Sequence, residues 1–358
     1  MKKTIGFCGA CIAFYIGAGF ATMQEVMQYE ASYGSRYWIV VLVTALVYIY
    51  TNISFATNGN ISKIERGGEI FSLYCGKKIG GFYDAFCAFF CYMCFIVMCG
   101  GANSTATEQW NLPNGVGAVI LTIAVVATVI MDLDGILKVL NKIGPIIIVT
   151  ILAIAVISTL RPVEPFQSGL WKIDSGNYEI AQVGNNNPVA SGVSYAGFVI
   201  LWFAPFISEI GSKNKLGDVN KGMLLSAVAI FGTATICCIA LIANIDITWN
   251  VGIPALALAK KINPLFAVFF AIIIFLGIYT TAVPLLWAGI KKLSDITCFA
   301  SKYKLITVCM GMIGCLTSCF FPYKRLLNFL YGLNGYMGFL LIVFMVVHDV
   351  KRLIKMNL

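Results

Sequence analysis

The sequence predicts an all-α membrane protein of about ten transmembrane helices, from its composition, its apolar segments and its loop charges. The 358 residues are 59% hydrophobic and only 11% charged, and their mean hydropathy is +0.86. Soluble domains carry about 25% charged residues. A chain this apolar does not fit one soluble core, whereas about 20 apolar residues suffice for each helix that crosses a bilayer.

Ten apolar segments are predicted and are numbered 1 to 10 in chain order. They lie near residues 4–29, 36–58, 80–106, 115–131, 136–160, 190–211, 217–243, 264–290, 303–321 and 326–350. The start of segment 1 has the charge pattern of a signal peptide, but its length and an internal glutamate argue against a cleaved leader.

The basic residues predict that both termini lie in the cytoplasm. Of the 25 Lys and Arg residues, 18 fall in alternate loops on the side of the N terminus and 7 on the opposite side. Short cytoplasmic loops carry the excess of Lys and Arg in membrane proteins. The net charge of +9 is therefore not a nucleic-acid signal.

The longest polar stretch, residues 161–188, predicts two halves of five segments each. We expect a first five-helix repeat at 1–160, an extracellular connector at 161–189 and a second repeat at 190–358. Because five is odd, the two repeats are inverted relative to each other. Ala-Gly-Phe recurs near the middle of the first segment of each half, at 18–20 and 196–198, as internal repeats of transporters do.

Segment 1 carries two glycines and a carboxylate where a plain anchor helix would carry neither. Gly17 and Gly19 each weaken a helix by about 1 kcal/mol. Glu25, at membrane depth, costs at least about 2.5–3.5 kcal/mol. A helix that unwinds to expose its backbone to a solute or an ion would carry both features. We therefore predict breaks in segment 1 and, by the repeat, in segment 6 at Gly197.

These features resemble a known superfamily. Two inverted five-helix repeats with broken first helices resemble the LeuT-type fold of the amino acid–polyamine–organocation transporters. The run Gly17-Ala18-Gly19-Phe20-Ala21, followed by Gln24-Glu25, is similar to that of YkvI-type bacterial membrane proteins. That family usually has glycine or serine where this chain has Thr22-Met23. Residues 253–259 resemble the outer lid helix between segments 7 and 8.

Segment 8 contains a spacing typical of a sodium site. Thr280 and Thr281 lie three and four residues after Gly277, which places both hydroxyls on the face of that glycine. Sodium is a hard cation and takes oxygen ligands. The resemblance implies two further ligands, the carbonyls of Ala13 and Ile16 before the break. Hydrogen bonds within the helix, or a proton-coupled form of the site, are the alternatives.

A substrate site is expected beside the break. Unwinding leaves free N–H groups at Gly17, Ala18, Gly19 and Phe20, which suit a carboxylate. The resemblance and the repeat place further residues around them: Glu25, Asn103, Tyr195, Gly197, Phe198 and Trp202. Each aromatic also fits simple core or lipid packing, and Pro205 offers a rival break in segment 6.

Glu25 has three interpretations: it pairs with a substrate amine, carries a proton, or forms a structural latch to segment 6 or 10. Asp84 and Lys142 are candidates for an inner gate, and Glu209 can reach Lys213 one turn later. The 13 cysteines are interpreted as packing residues of helices. A single histidine, His348, leaves a metal centre almost without partners.

These observations favour a secondary active transporter of the bacterial cytoplasmic membrane over two other classes. We expect a sodium-coupled symporter of an amino acid or similar solute, with sodium as the coupling ion and no cofactor. A proton-coupled or uncoupled exchanger of a small amine or nucleobase-like solute is the alternative. A channel or solute-sensing receptor on the same fold is another, and an enzyme is disfavoured because no nucleophile–base–acid set is visible. The expected partners are the lipid bilayer and a small solute, and oligomeric state is undetermined.

Overall fold

The computed structural model describes residues 2–131, 143–294 and 302–357, and every regular element among them is a helix. The first half contains α1 (Lys2–Tyr15), α2 (Ala18–Ala21), α3 (Gln24–Tyr29), a 3-10 helix (Ala31–Arg36), α4 (Tyr37–Ser62), α5 (Glu69–Trp110), α6 (Val116–Met131) and α7 (Ile143–Leu160). After α8 (Phe166–Asp174), the second half contains α9 (Pro188–Lys213), α10 (Leu216–Ile242), α11 (Ile245–Thr248), α12 (Pro254–Ile262), α13 (Pro264–Ser294), α14 (Tyr303–Phe320) and α15 (Tyr323–Asn357).

The predicted all-α membrane fold is confirmed. Seven described helices are long and apolar enough to cross a membrane. Three shorter apolar helices, Lys3–Tyr15, Val116–Met131 and Pro145–Leu160, coincide with predicted segments 1, 4 and 5. The start of segment 5, with Lys138 and Lys142, lies outside the described residues.

Helix α9 packs between α4 and α15, and glycines make these contacts close. A Cβ on Gly211 would stand 2.3 Å from the carbonyl oxygen of Ala56 in α4. On the other side, a Cβ on Gly338 of α15 would stand 1.8 Å from the carbonyl oxygen of Gly197. Small residues let helix backbones approach in membranes, where packing rather than the hydrophobic effect drives association.

The predicted break of segment 6 at Gly197 is wrong. α9 runs as one helix from Pro188 to Lys213, through Gly197 and through the rival site at Pro205. Gly197 serves the close approach of α15 instead of unwinding. Pro205 cannot donate to the carbonyl of Leu201 four residues earlier. The thiol of Cys87 on α5 donates to that carbonyl at 3.2 Å and satisfies it.

The segment between α7 and α9 packs against the start of α4 and the 3-10 helix before it. Helix α8 packs on the 3-10 helix, where the N–H of Ser35 donates to Asp174 at 3.1 Å. Lys172 pairs with Glu164 at 2.6 Å and with Asp246 at 2.8 Å. Hydrogen bonds from Lys172 and Tyr178 hold the pKa of Asp246 below its usual value.

Candidate functional site

The predicted break in segment 1 is confirmed at residues 16–17, between α1 and α2. The N–H of Gly17 donates to the carbonyl of Tyr15 at 3.0 Å. The N–H of Ala21 then donates to the carbonyl of Gly17. The carbonyls of Ala13 and Ile16 therefore have no backbone donor among the described residues, and the N–H group of Phe20 has no backbone acceptor among them. These free groups are what binding of an ion or solute to an unwound helix requires.

A second interruption follows at Thr22–Met23, which the sequence analysis did not predict. Met23 has φ 58°, in the left-handed region that favours glycine. The hydroxyl of Thr22 donates to the carbonyl of Gly19 at 2.7 Å, and the carbonyl of Thr22 accepts from the N–H of Ala255 in α12 at 3.1 Å. The sequence signal available for this interruption was Thr22-Met23 itself, where the family that it resembles usually has glycine or serine.

Glu25 lies in the core beside the break and is 6% exposed. The hydroxyl of Tyr195 on α9 donates to Oε2 at 3.3 Å. Oε1 lies against the backbone of Gly19, where a Cβ would stand 1.9 Å from it. The hydroxyl of Tyr331 on α15 is 3.4 Å from the same Cβ position. This is the arrangement that the latch interpretation requires.

The expected aromatic residues of α9 form a stacked cluster with α3 and α15. Tyr195 stacks on Tyr29 at 4.4 Å between ring centroids, and Phe198 stacks on Tyr331 at 4.6 Å. Trp202 meets the edge of Phe198 at 5.5 Å. Two buried polar atoms of this region, Trp202 Nε1 and Asn334 Oδ1, have no hydrogen-bond partner among the described residues. Apolar walls with a few uncommitted polar groups are typical of a small-molecule site.

A cavity of about 330 Å³ leads from Trp202 towards the face that carries the basic loops. It is lined by α5, α9 and α13, including Phe90, Pro205 and Trp287. Lys292 and Asp84 form an ion pair of 2.5 Å at its wall. Asp84, expected at an inner gate, thus pairs with α13, and Glu209 lies 3.6 Å from Lys213, as the spacing suggested.

On the opposite face, α12 closes over the break, in the place expected for a lid. Glu108 accepts from the N–H of Gly252 at 2.6 Å and of Ile253 at 3.2 Å, directly before α12 begins. The hydroxyls of Thr22 and Tyr323 lie 3.1 Å apart beneath it. Asn103 lies at this face, beside Glu108 and Gly252, and not in the aromatic cluster. Its amide binds Asn114 at 2.6 Å and the N–H of Gly115 at 2.8 Å, so it holds the connection between α5 and α6.

The oxygens expected to bind sodium on segment 8 lie together. The hydroxyls of Thr280 and Thr281 both donate to the carbonyl of Gly277, at 2.8 Å and 3.0 Å. This is the intrahelical bonding named as the alternative, yet each hydroxyl oxygen keeps its lone pairs for a cation. Helix α2, just after the break, packs against α13. The described residues contain no group of three His, Cys, Asp or Glu side chains placed to hold a metal ion.

The arrangement defines an all-α membrane protein with the LeuT-type fold. A structure of a variant manganese transporter from Eremococcus coleocola is similar, with a TM-score of 0.56 and 13% identity over 97% of this chain and 78% of that one. MhsT in complex with L-phenylalanine is also similar, with a TM-score of 0.54 and 17% identity over 88% of this chain and 78% of that one. At these identities the likeness shows the fold alone. No family model matches the chain, and no curated protein matches it.

Proposed function

We propose that this protein is a secondary transporter that carries a small organic solute across the membrane by alternating access. The observation that carries the proposal is the interrupted first segment. Its free backbone groups and Glu25 lie beside an aromatic cluster with uncommitted polar atoms. The lid α12 closes the outer side of this region, and the cavity at Trp202 approaches it from the inner side. A central site that is closed on one side and approached from the other is what alternating access requires.

The proposed solute is an amino acid or a similar carboxylate. The uncommitted N–H group of Phe20 favours a negatively charged group, and the aromatic cluster favours an apolar side chain. The two similar structures are named for different ligands, manganese in one and L-phenylalanine in the other. Their shared fold therefore does not identify the solute. A thermal-shift screen of amino acids, small amines and nucleobases on the purified protein tests this choice, because a ligand that binds only the folded state raises its Tm.

We further propose that sodium couples to the solute through Ala13, Ile16, Gly277, Thr280 and Thr281. Two carbonyls without donors and three oxygens on α13 supply the donor set that a hard cation takes. Thr281→Ala should reduce the stabilisation by sodium chloride relative to potassium chloride. Thr233→Ala is the matched control, because Thr233 makes the same hydrogen bond within a helix, to Ala229 at 2.8 Å, on α10. Equal effects of the two variants, or no sodium effect in the wild type, would remove sodium from the proposal.

Solute uptake into proteoliposomes tests the transport itself. Uptake of a radiolabelled hit from the screen should saturate and should increase with an inward sodium gradient. Uptake that is independent of the sodium gradient would indicate an uncoupled exchanger, and binding without uptake would indicate a receptor.

The proposed orientation places both termini in the cytoplasm. In protein without its reactive native cysteines, Cys at Ser168 should react with an impermeant reagent from outside intact cells. Cys at Asn214 should react only after the cells are opened. The reverse pattern would invert the protein in the membrane.

A further inference from the structure

A second carboxyl group is buried in the outer half of the first segment. Glu30 follows α3, and its side chain is 0% exposed. Neither of its carboxyl oxygens has a hydrogen-bond partner among the described residues. Buried polar atoms are normally hydrogen-bonded, so two unpaired oxygens on one carboxyl group need a physical explanation.

Among the described residues, the groups that interact electrostatically with Glu30 carry no positive charge. The titratable groups that interact with it electrostatically are a carboxyl, two phenols and two thiols, those of Glu25, Tyr15, Tyr195, Cys237 and Cys238. Cys237 and Cys238 belong to α10, which packs against both α3 and the 3-10 helix.

Several charged residues of the other neighbouring elements have partners of their own. Arg36, at the end of the 3-10 helix, donates to Asn186 at 2.6 Å. On α8, Asp174 accepts from Ser35, and Lys172 pairs with Glu164 and Asp246. On α12 and α15, Lys260 donates to the backbone carbonyl of Glu108, Lys261 to Asn244, and Lys324 to Asn250.

An ionised carboxylate is strongly disfavoured in such a place. Burial of an unpaired charge is so costly that the group normally takes up a proton instead. A hard metal cation would need several oxygen ligands, and the described residues contain no group of three His, Cys, Asp or Glu side chains placed to hold a metal ion. We propose that Glu30 is a proton-binding site of this protein, which holds a neutral carboxylic acid while the outer side is closed.

Residues 182–187, which we call the outer cover, bond to the backbone on both sides of Glu30 and connect this site to the proposed function. The next step rests on that proposed function. The N–H of Val183 donates to the carbonyl of Gln28 at 3.3 Å, and the amide of Gln182 donates to the carbonyl of Ser32 at 3.0 Å. The hydroxyl of Tyr33 also reaches this cover, at 3.2 Å from the carbonyl of Asn187. Opening of this cover admits water to Glu30, and the acid then releases its proton to that water. The closed state binds one more proton than the open state, so low pH favours closure of the outer side.

Infrared difference spectroscopy of the full chain in lipid vesicles tests the proton directly. The wild type at pH 7 should show a carboxylic-acid carbonyl band that Glu30→Gln removes. Glu179→Gln, which changes an exposed carboxyl of the outer face, should leave that band in place. Since the glutamine resembles the neutral acid, Glu30→Gln should fold with a Tm equal to or above that of the wild type at pH 8. A band that is unchanged in Glu30→Gln would overturn the proposal, as would a variant that is less stable than the wild type at pH 8.

A second measurement tests the link to the outer cover. Ser32, which is 8% exposed, is replaced by cysteine and labelled with an impermeant maleimide, against the same protein without this cysteine. The labelling rate, corrected for the reagent's own pH dependence, should rise by up to about tenfold per pH unit, as for one coupled proton. Glu30→Gln should abolish this corrected dependence, and its persistence in Glu30→Gln would refute the link. Neither measurement uses a transported solute, so failure of uptake would count against the proposed function without affecting these results.

Discussion

The carboxyl group of Glu25 lies directly against the backbone of Gly19, six residues earlier in the same segment. Oε1 would stand 1.9 Å from a Cβ at position 19, so any side chain there conflicts with the carboxyl. The other oxygen accepts from Tyr195 at 3.3 Å. The two residues of the sequence motif therefore depend on each other through space, and the glycine makes room for the buried acid.

Gly19→Ala should destabilise the protein by about 1–3 kcal/mol, the usual cost of overpacking a well-packed site. Gly17→Ala is the matched control, because a Cβ at position 17 meets nothing within 4 Å. Thermal unfolding of the purified variants measures the difference. A Tm of Gly19→Ala equal to that of Gly17→Ala would mean that the carboxyl lies elsewhere.

The same pair can be tested by a double-mutant cycle. Glu25→Ala removes the group that a new methyl at position 19 would meet. The Gly19→Ala change should then cost less in the Glu25→Ala background, with a coupling of about 0.5–3 kcal/mol between the two sites. Strict additivity would argue against the contact.

Gly338→Ala should strongly destabilise the contact between α9 and α15. The added Cβ would stand 1.8 Å from the carbonyl oxygen of Gly197, and neither helix backbone can yield cheaply. Gly232→Ala on α10 is the control, since a Cβ there meets nothing within 4 Å. We expect a lower Tm or a lower yield of folded protein for Gly338→Ala, and little change for Gly232→Ala.

Loss of the Glu108 carboxylate should loosen the lid. Glu108→Ala removes the acceptor of the two N–H groups that precede α12 and leaves them unpaired. Cysteine at Ser104, in the outer pocket of about 370 Å³, should then be labelled faster by an impermeant maleimide. Glu179→Ala, an exposed carboxylate of the same face, should leave the rate unchanged. Equal rates in both variants would show that Glu108 does not hold the lid.

The ion pair between Lys172 and Asp246 should make stability depend on pH. The hydrogen bonds from Lys172 and Tyr178 lower the pKa of Asp246, so its contribution is present above the ordinary aspartate value of about 4. The contribution disappears as pH falls through the lower value of the folded protein. Asp246→Asn should therefore lower Tm slightly at pH 7, and the difference from the wild type should shrink towards pH 3. A difference independent of pH would indicate a packing effect.

The first helix shows what sequence can predict of a site. Gly17 and Gly19 in an apolar segment predicted the break because their effect on the backbone is local, and the structure places it at 16–17. The same argument failed for Gly197, because the backbone of α15 occupies the space beside that glycine. The sequence near Gly197 does not indicate that Gly335 and Gly338 pack against it.

Glu30 was missed for a related reason. A carboxylate near the end of an apolar segment is typical of a solvated rim charge, whereas here α10 packs against the helices on both sides of Glu30, and residues 182 and 183 bond to Ser32 and Gln28. Its position five residues after Glu25 was the signal available in the sequence. Asn103 was expected at the substrate site, but its partners Asn114 and Gly115 are set by the turn that follows α5.

The sequence by itself determined which long apolar stretches are helical, which of them suit a bilayer, and where the first of the two interruptions of segment 1 lies. These properties follow from hydropathy and backbone preference, which act over a few neighbouring residues. Only the tertiary structure decided that Glu25 faces Tyr195, that Gly197 packs instead of unwinding, and that Glu30 is shut away from water. Burial and pairing depend on residues brought together from distant parts of the chain. A glycine or a carboxylate therefore has different structural roles in different surroundings.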